Sequence, residues 1–346
     1  MASFGRNRSA LAIGGAVSAA LLAYGASRFE AAPTLAALRR AEPLHLVIAL
    51  GLFVALYPIR GFRWSRILAP ISIVPVKTST EVIAIGALAN NLLPARLGDV
   101  ARAFVLGRAR GVSGAAVLST VLIERIFDGL TVVLALSLVL ALEPPEAAWV
   151  GGVGLLTGAI FLSALSVATS IAIFEDRALA AFRGLARPLP RAIAGKVVGI
   201  LERLGAGCRA LRSPSAWLVT GSVSATIWSL EVLVYAVVAR GLGIELGPGG
   251  VPVSGLFLML GVLNLGLAAP SLPAFVGVFE ALVVSSLSLY GVRAEEALAF
   301  ALVLHAVHFF GSTLFGLASL ARHGLRIRDL GATAAGEHEA APRGAS

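Results

Sequence analysis

The sequence predicts an all-α polytopic membrane protein with about six full spans and two inverted re-entrant helical hairpins related by an internal repeat. Three observations carry that prediction. Of 346 residues, 58% are hydrophobic and only 14% charged, where a soluble domain carries about 25% charged residues. The apolar residues gather in runs long enough, or nearly so, for the roughly 20 residues that a helix needs to cross a bilayer. The cations, 28 against 19 acids and almost all of them arginine, fall unevenly between alternate loops, as they do in membrane proteins oriented by their positive charges. A net charge of +9 in such a chain therefore bears on topology, and no nucleic-acid partner is expected. Cys208, the single cysteine, offers neither an intrachain disulfide nor a zinc set.

Taken in order, the runs lie near residues 9–27, 44–60, 113–142, 148–173, 215–240 and 295–321. The first follows Arg6 and Arg8 and is followed by no clean A-x-A site, so it reads as an uncleaved anchor. Two further stretches are interrupted. Residues 78–110 pass through Asn90-Asn91-Leu92-Leu93-Pro94 into an arginine-bearing helix, and residues 251–291 are broken by Ala269-Pro270-Ser271-Leu272-Pro273. Proline and the residue before it resist a continuous helix, so both stretches are expected to enter the membrane and return. Residues 191–212 place Ile193, Val197, Ile200, Leu204, Cys208 and Leu211 at helical spacing, the pattern of an amphipathic helix on the cytoplasmic leaflet within a basic segment, 175–213. Residues 1–330 are expected to form one integral membrane domain, and 331–346 a disordered cytoplasmic tail.

With both termini inside, twenty-two of the Lys and Arg residues fall on the cytoplasmic side, Arg60, Arg63 and Arg66 among them. Five fall outside, and Arg125 lies in a span. Making either hairpin a full crossing spoils this partition. The expected location is the bacterial cytoplasmic (inner) membrane.

The hairpins share a written pattern. Leu93-Pro94-Ala95-Arg96-Leu97-Gly98 matches Leu272-Pro273-Ala274-Phe275-Val276-Gly277, and a Gly-Val pair follows each, at Gly111 and Gly291. Counted from those glycines, Arg125 and His305 both lie 14 residues on, and Asp128 and His308 both lie 17 on. One hairpin opens from the cytoplasm and the other from outside, so the repeats are inverted, an arrangement that transporters use to place a site near the midplane.

Ionisable side chains inside a bilayer are costly and mark function or structural ion pairs. Asn90, Asn91, Arg96, Asp99 and Arg102 at the first hairpin, with Glu280 at the second, are the candidate substrate-binding residues. Pro94, Gly98, Pro270, Pro273 and Gly277 shape the tips. There the guanidinium fork suits phosphate; the alternative is that Asp99 or Glu124 merely neutralises these arginines. Glu124, Arg125 and Asp128 are expected to form one intramembrane charge network with the second hairpin or the last span, through His305 or His308. Two histidines three apart suit proton exchange or packing better than metal, and no metal or other cofactor is expected. Glu81 and Glu231 stand isolated in sequence.

The run from Asn90 through Pro94-Ala95-Arg96-Leu97-Gly98-Asp99 to Arg102, followed by Glu124-Arg125-Ile126-Phe127-Asp128, resembles the signature of the flippase-like transmembrane family. That family includes the membrane domain of bacterial lysylphosphatidylglycerol synthases, the multiple peptide resistance factors. Pro270-Ser271-Leu272-Pro273-Ala274-Phe275-Val276-Gly277-Val278-Phe279-Glu280 is similar to the family's later Pro-Gly-rich motif. The resemblance covers roughly residues 40–322. It implies re-entrant elements and the movement of polar lipids between leaflets, with anionic or polar-headgroup lipids as partners. This chain departs from the family in having Asp99 where Glu is common and Ala274 where Gly is usual. It also shows no soluble aminoacyl-transfer domain, which directs the expectation away from lipid synthesis.

The leading expectation is a flippase for a phosphate-bearing lipid. A membrane transferase acting on a lipid phosphate, an ion-coupled carrier and a regulatory subunit are the rivals. The four aspartates are unpaired in sequence, and neither H-E-x-x-H nor a phosphate-binding P-loop occurs, so the chain is not expected to be an enzyme.

Overall fold

The computed structural model describes residues 31–93, 97–142, 213–247, 249–267 and 273–334, together with 159, 162, 163 and 166. Among them are ten α-helices and no strand; an isolated bridge joins Leu246 and Val251. We number the helices α1 (Ala31–Arg39), α2 (Pro43–Leu68), α3 (Val76–Leu92), α4 (Gly98–Arg110), α5 (Gly114–Leu142), α6 (Pro214–Gly241), α7 (Val253–Gly266), α8 (Val278–Ser288), α9 (Ala294–Arg322) and α10 (Ile327–Ala334). A short 3-10 turn, Pro273–Phe275, precedes α8.

Helices α2, α6 and α9 are long and apolar enough to cross a membrane. Helix α5 has 29 residues and carries Glu124, Arg125 and Asp128 in its first half. Large apolar side chains such as Leu44, Leu134, Leu138, Leu218, Phe310 and Leu314 face outward. That distribution suits hydrocarbon and would be a liability in water. The protein is thus an all-helical polytopic membrane protein.

Helix α3 is the hub. It packs on α2, α4, α9 and the 3-10 turn, and Ser79 through Gly86, with Leu88 and Ala89, are all buried. Small residues allow these close crossings, as is usual where lipid supplies no hydrophobic drive between helices. The tightest is with α4: a Cβ added at Gly98 would stand 2.2 Å from the carbonyl oxygen of Gly86. On the other side, a Cβ at Gly316 of α9 would stand 2.7 Å from the Ala84 carbonyl oxygen. The side-chain oxygen of Asn90 accepts the Gly98 N–H at 2.8 Å, closing the α3–α4 hairpin by satisfying a free donor at the start of α4.

Helices α7 and α8 also pack together, α7 lies on α5, and α2 packs along α6. Three details differ from the sequence expectation. Helix α2 does not stop at Arg60 but continues to Leu68, with Arg63 and Trp64 buried inside it. Helix α1, not foreseen, packs on α9. Helix α10 reaches Ala334 and so enters the segment expected to be disordered. The expected spans 9–27 and 148–173, the amphipathic segment 191–212 and the tail beyond 334 lie outside the described residues, apart from the four single positions between 159 and 166.

Candidate functional site

Two polar assemblies lie side by side in the helical bundle. The first is built on Arg63 of α2, 2% exposed. Its guanidinium donates to both oxygens of Asp128, the contact to Oδ2 being 3.1 Å. It also donates to Glu124 Oε1 at 2.8 Å and to Ser224 Oγ of α6 at 2.6 Å. Glu124 takes a second cation, Arg102 of α4, at 2.6 Å. The Arg102 guanidinium lies 4.1 Å from the ring centroid of Trp64, whose indole N–H donates to Thr120 at 3.0 Å. The indole N–H of Trp228 donates to Asp128 at 3.1 Å.

Two arginines and two carboxylates thus balance among three helices, α2, α4 and α5, and the one-turn spacing of Glu124 and Asp128 puts both on the face toward Arg63. Breaking a pair of this kind from one side costs about 3–5 kcal/mol, because a buried charge is left uncompensated. Beside it Arg125 reaches Asp99 at 2.7 Å, with 45% of its side chain exposed.

The second assembly is a cavity of about 250 Å³. Both hairpins reach it, the first through Asn90 and Asn91 and the second through Ala274 and Phe275. Its ionic wall runs from Arg60 of α2 to Glu231 of α6 at 2.9 Å, and from Glu231 to His308 of α9, also at 2.9 Å. His305 bridges Glu280 Oε1, 2.5 Å from Nδ1, and the carbonyl oxygen of Ala274, 2.8 Å from Nε2. Tyr57, Trp228, Tyr235, Phe279 and Asn264 complete much of the lining. Asn91 donates to Ser312 at 2.8 Å and to Thr313 at 2.9 Å on α9.

The second tip is strained. Ala274 and Phe275 adopt φ of 58° and 63°, a left-handed region that costs an L-residue roughly 1–2 kcal/mol. Gly277 (φ 86°) then starts α8, its N–H donated to Glu280 Oε2 at 2.7 Å.

The candidate residues therefore separate into two groups. Glu124 and Asp128 share Arg63 and Arg102, whereas Arg125 turns to Asp99. None of the three pairs with His305 or His308, which corrects the expectation of one network through the histidines; those take Glu280 and Glu231. Arg102 is buried and engaged by Glu124 and Trp64, the structural alternative weighed for it. Pro94, Arg96 and Pro270 lie outside the described residues, as does the side chain of Pro273. Among the described residues, no three His, Cys, Asp or Glu side chains come together as a metal-ligand set.

Sequence reasoning missed Arg60 and Arg63, which it placed in a loop. Their spacing of three, followed by Trp64, Ile67 and Leu68, was the available signal of one continuing helix. Glu231, isolated in sequence, gains Arg60 and His308. Glu81 meets Arg322 at 3.4 Å and His323 at 3.1 Å at the end of α9.

A family model described as the lysylphosphatidylglycerol synthase TM region matches residues 11–316. The chain belongs to that family. This member of the lysylphosphatidylglycerol synthase TM family is also similar to Glycosyltransferase AglD of Haloferax volcanii, with 28% identity over 306 residues. The match covers 81% of this chain and 49% of the relative, so the chain spans about half the length of the curated relative. The name of that relative overturns the expectation that the chain is not an enzyme. Absence of hydrolytic and P-loop motifs excluded only chemistries that carry those motifs, and glycosyl transfer requires neither.

Proposed function

We propose that this chain handles a polar, phosphate-bearing lipid in the cytoplasmic membrane and moves its headgroup between leaflets through the cavity where the two hairpins meet. That convergence, Asn90 and Asn91 from one hairpin and Ala274 and Phe275 from the other on a single polar cavity, is the observation that carries the reading. The packing adds support. Exchanging α2 with α6, α3 with α7, α4 with α8 and α5 with α9 turns the set of contacts among these eight helices into itself: α3 with α9 becomes α7 with α5, and α4 with α5 becomes α8 with α9. This favours two repeats of four helices, each supplying one re-entrant hairpin, inverted as the charge partition requires.

Among the described residues, Arg60 is the arginine at the cavity wall, whereas Arg63 and Arg102 are buried in pairs. A lipid phosphate entering the cavity would compete with Glu231 for Arg60 through charge-assisted hydrogen bonds. The aromatic lining offers flat apolar faces to the rest of a headgroup.

The test is reconstitution of purified protein in vesicles carrying fluorescent phospholipids, with leaflet exchange read by an impermeant quencher. Exchange above protein-free vesicles is expected, with a fall of tenfold or more in Arg60→Gln. Exchange equal to that of protein-free vesicles overturns the reading. The name of the relative supports a second reading, transfer of a sugar onto or from a lipid phosphate held in the same cavity. A glycolipid product formed from a lipid-linked sugar donor in the same vesicles, without leaflet exchange, would select it.

A further inference from the structure

We infer that the protein binds a proton at the second hairpin and that this proton holds the hairpin closed over the central cavity. The inference rests on the transport reading for its purpose, naming the ion to which transport is coupled, but its test needs no lipid.

The geometry at His305 requires the proton. Both ring nitrogens face oxygen acceptors, Glu280 Oε1 at 2.5 Å and the Ala274 carbonyl at 2.8 Å. A neutral imidazole has one N–H. Beside an ionised Glu280 it would serve one acceptor and turn a lone pair toward the other. Both contacts form only when the pair holds one more proton, whether on the ring or shared with the carboxyl group; the two placements are the same state of a coupled pair.

That proton fastens three parts of the chain: Glu280 in the first turn of α8, His305 on α9, and the tip at Ala274. The tip lines the cavity, and its backbone is held at φ of 58° and 63°. Loss of the proton releases a segment already under strain, which relaxes away from the cavity.

Among the described residues, Glu280 is the charged group paired with His305. His308, one turn along, faces Glu231 of α6, which is paired with Arg60 of α2. Tyr57 of α2 and Tyr235 of α6 line the same cavity, and α3 brings to it the uncharged amides of Asn90 and Asn91. Asn264 of α7 is uncharged, and α1 carries only Arg39. Glu81 of α3 is held at the far end of α9 by Arg322 and His323.

The first half supplies the contrast. At the position matching His305 stands Arg125, and it too pairs with a carboxylate in the first turn of a hairpin helix, Asp99 of α4, at 2.7 Å. A guanidinium does not give up its proton in a protein. One hairpin is therefore fastened by a fixed charge and the other by an imidazole and a carboxyl group that share one exchangeable proton.

The experiment uses the full chain in detergent with Cys208→Ser and one introduced cysteine, Asn264→Cys, inside the cavity. Modification by a charged thiosulfonate is followed from pH 5.5 to 8.5 and normalised to a second protein carrying Arg293→Cys, an exposed control. With His305 intact, normalised labelling is expected to rise at least tenfold with pH. With His305→Arg it stays low throughout, and with His305→Gln it is high throughout. A flat profile with His305 intact, or the same pH profile in all three proteins, overturns the proposal. If His305→Gln does not fold, the Arg variant decides alone, by keeping or losing the pH response. A normal labelling response without leaflet exchange would leave this proposal standing and remove the transport reading.

Discussion

Replacing Arg63 by methionine removes a buried cation while keeping most of the volume of its stem. Asp128 would keep only the Trp228 indole N–H, and Glu124 only Arg102. One carboxylate of the balanced set of four charges is then uncompensated inside the bundle, a loss of about 3–5 kcal/mol. At ~2–4 °C per kcal/mol, the scale for large domains, the detergent-solubilised protein should unfold about 6–20 °C lower, as read by intrinsic fluorescence in one detergent and at one pH. Arg63→Met with Asp128→Asn neutralises both members of the broken pair. The double variant should recover part of the loss, with a coupling energy of about 1–3 kcal/mol. Additivity to within about 0.5 kcal/mol, or an unchanged unfolding temperature in Arg63→Met, would refute the reasoning.

Gly98→Ala should prevent the first hairpin from closing, since the added carbon would stand 2.2 Å from the Gly86 oxygen; size-exclusion chromatography should show aggregate in place of a monodisperse peak. Ala274→Gly relieves a left-handed alanine and should stabilise the protein by ~0.5–1 kcal/mol after the added freedom of the unfolded chain is counted, visible as a rise in unfolding temperature. Arg102→Lys keeps the charge but loses the planar stack on Trp64, and should cost about 1–2 kcal/mol in the same assay. Cysteines introduced at Arg110 and Arg293 should label from opposite faces of the cell membrane, position 293 from outside and position 110 only after permeabilisation; labelling of both from one face would reject the inverted arrangement.

The hairpins were legible because their interruptions are local. The helix before each interruption ends at Leu92 and at Gly266, just ahead of Pro94 and Pro270 in the sequence, and the helices on either side fall close to the expected bounds. Span ends marked by arginine were less legible. Arg60 looks like the flank of a span, yet the helix continues because partners for it and for Arg63 arrive from α5 and α6. Removing these two and the buried Arg102 from the cytoplasmic tally still leaves the excess on that side. Pair identities were the least legible. Glu231 meets Arg60 across 171 residues of sequence, and Asn91 meets Ser312 across 221; no local period encodes such distances. Equal spacing from Gly111 and Gly291 made Arg125 and His305 counterparts in the sequence. Sequence spacing did not reveal that each pairs with the carboxylate of its own hairpin.

The wide separation of Arg63 from its partners sets a constraint on biogenesis. Glu124 follows it by 61 residues and Ser224 by 161. At the usual ~5–20 residues per second of synthesis, the arginine waits about 3–12 s for its carboxylates and roughly 8–32 s for the hydroxyl. Through that interval a helix bearing the still unpaired Arg60 and Arg63 must stay near the translocon or at the membrane surface. Final seating of α2 therefore follows emergence of α5 and α6, and a ribosome stalled between them should leave α2 open to protease.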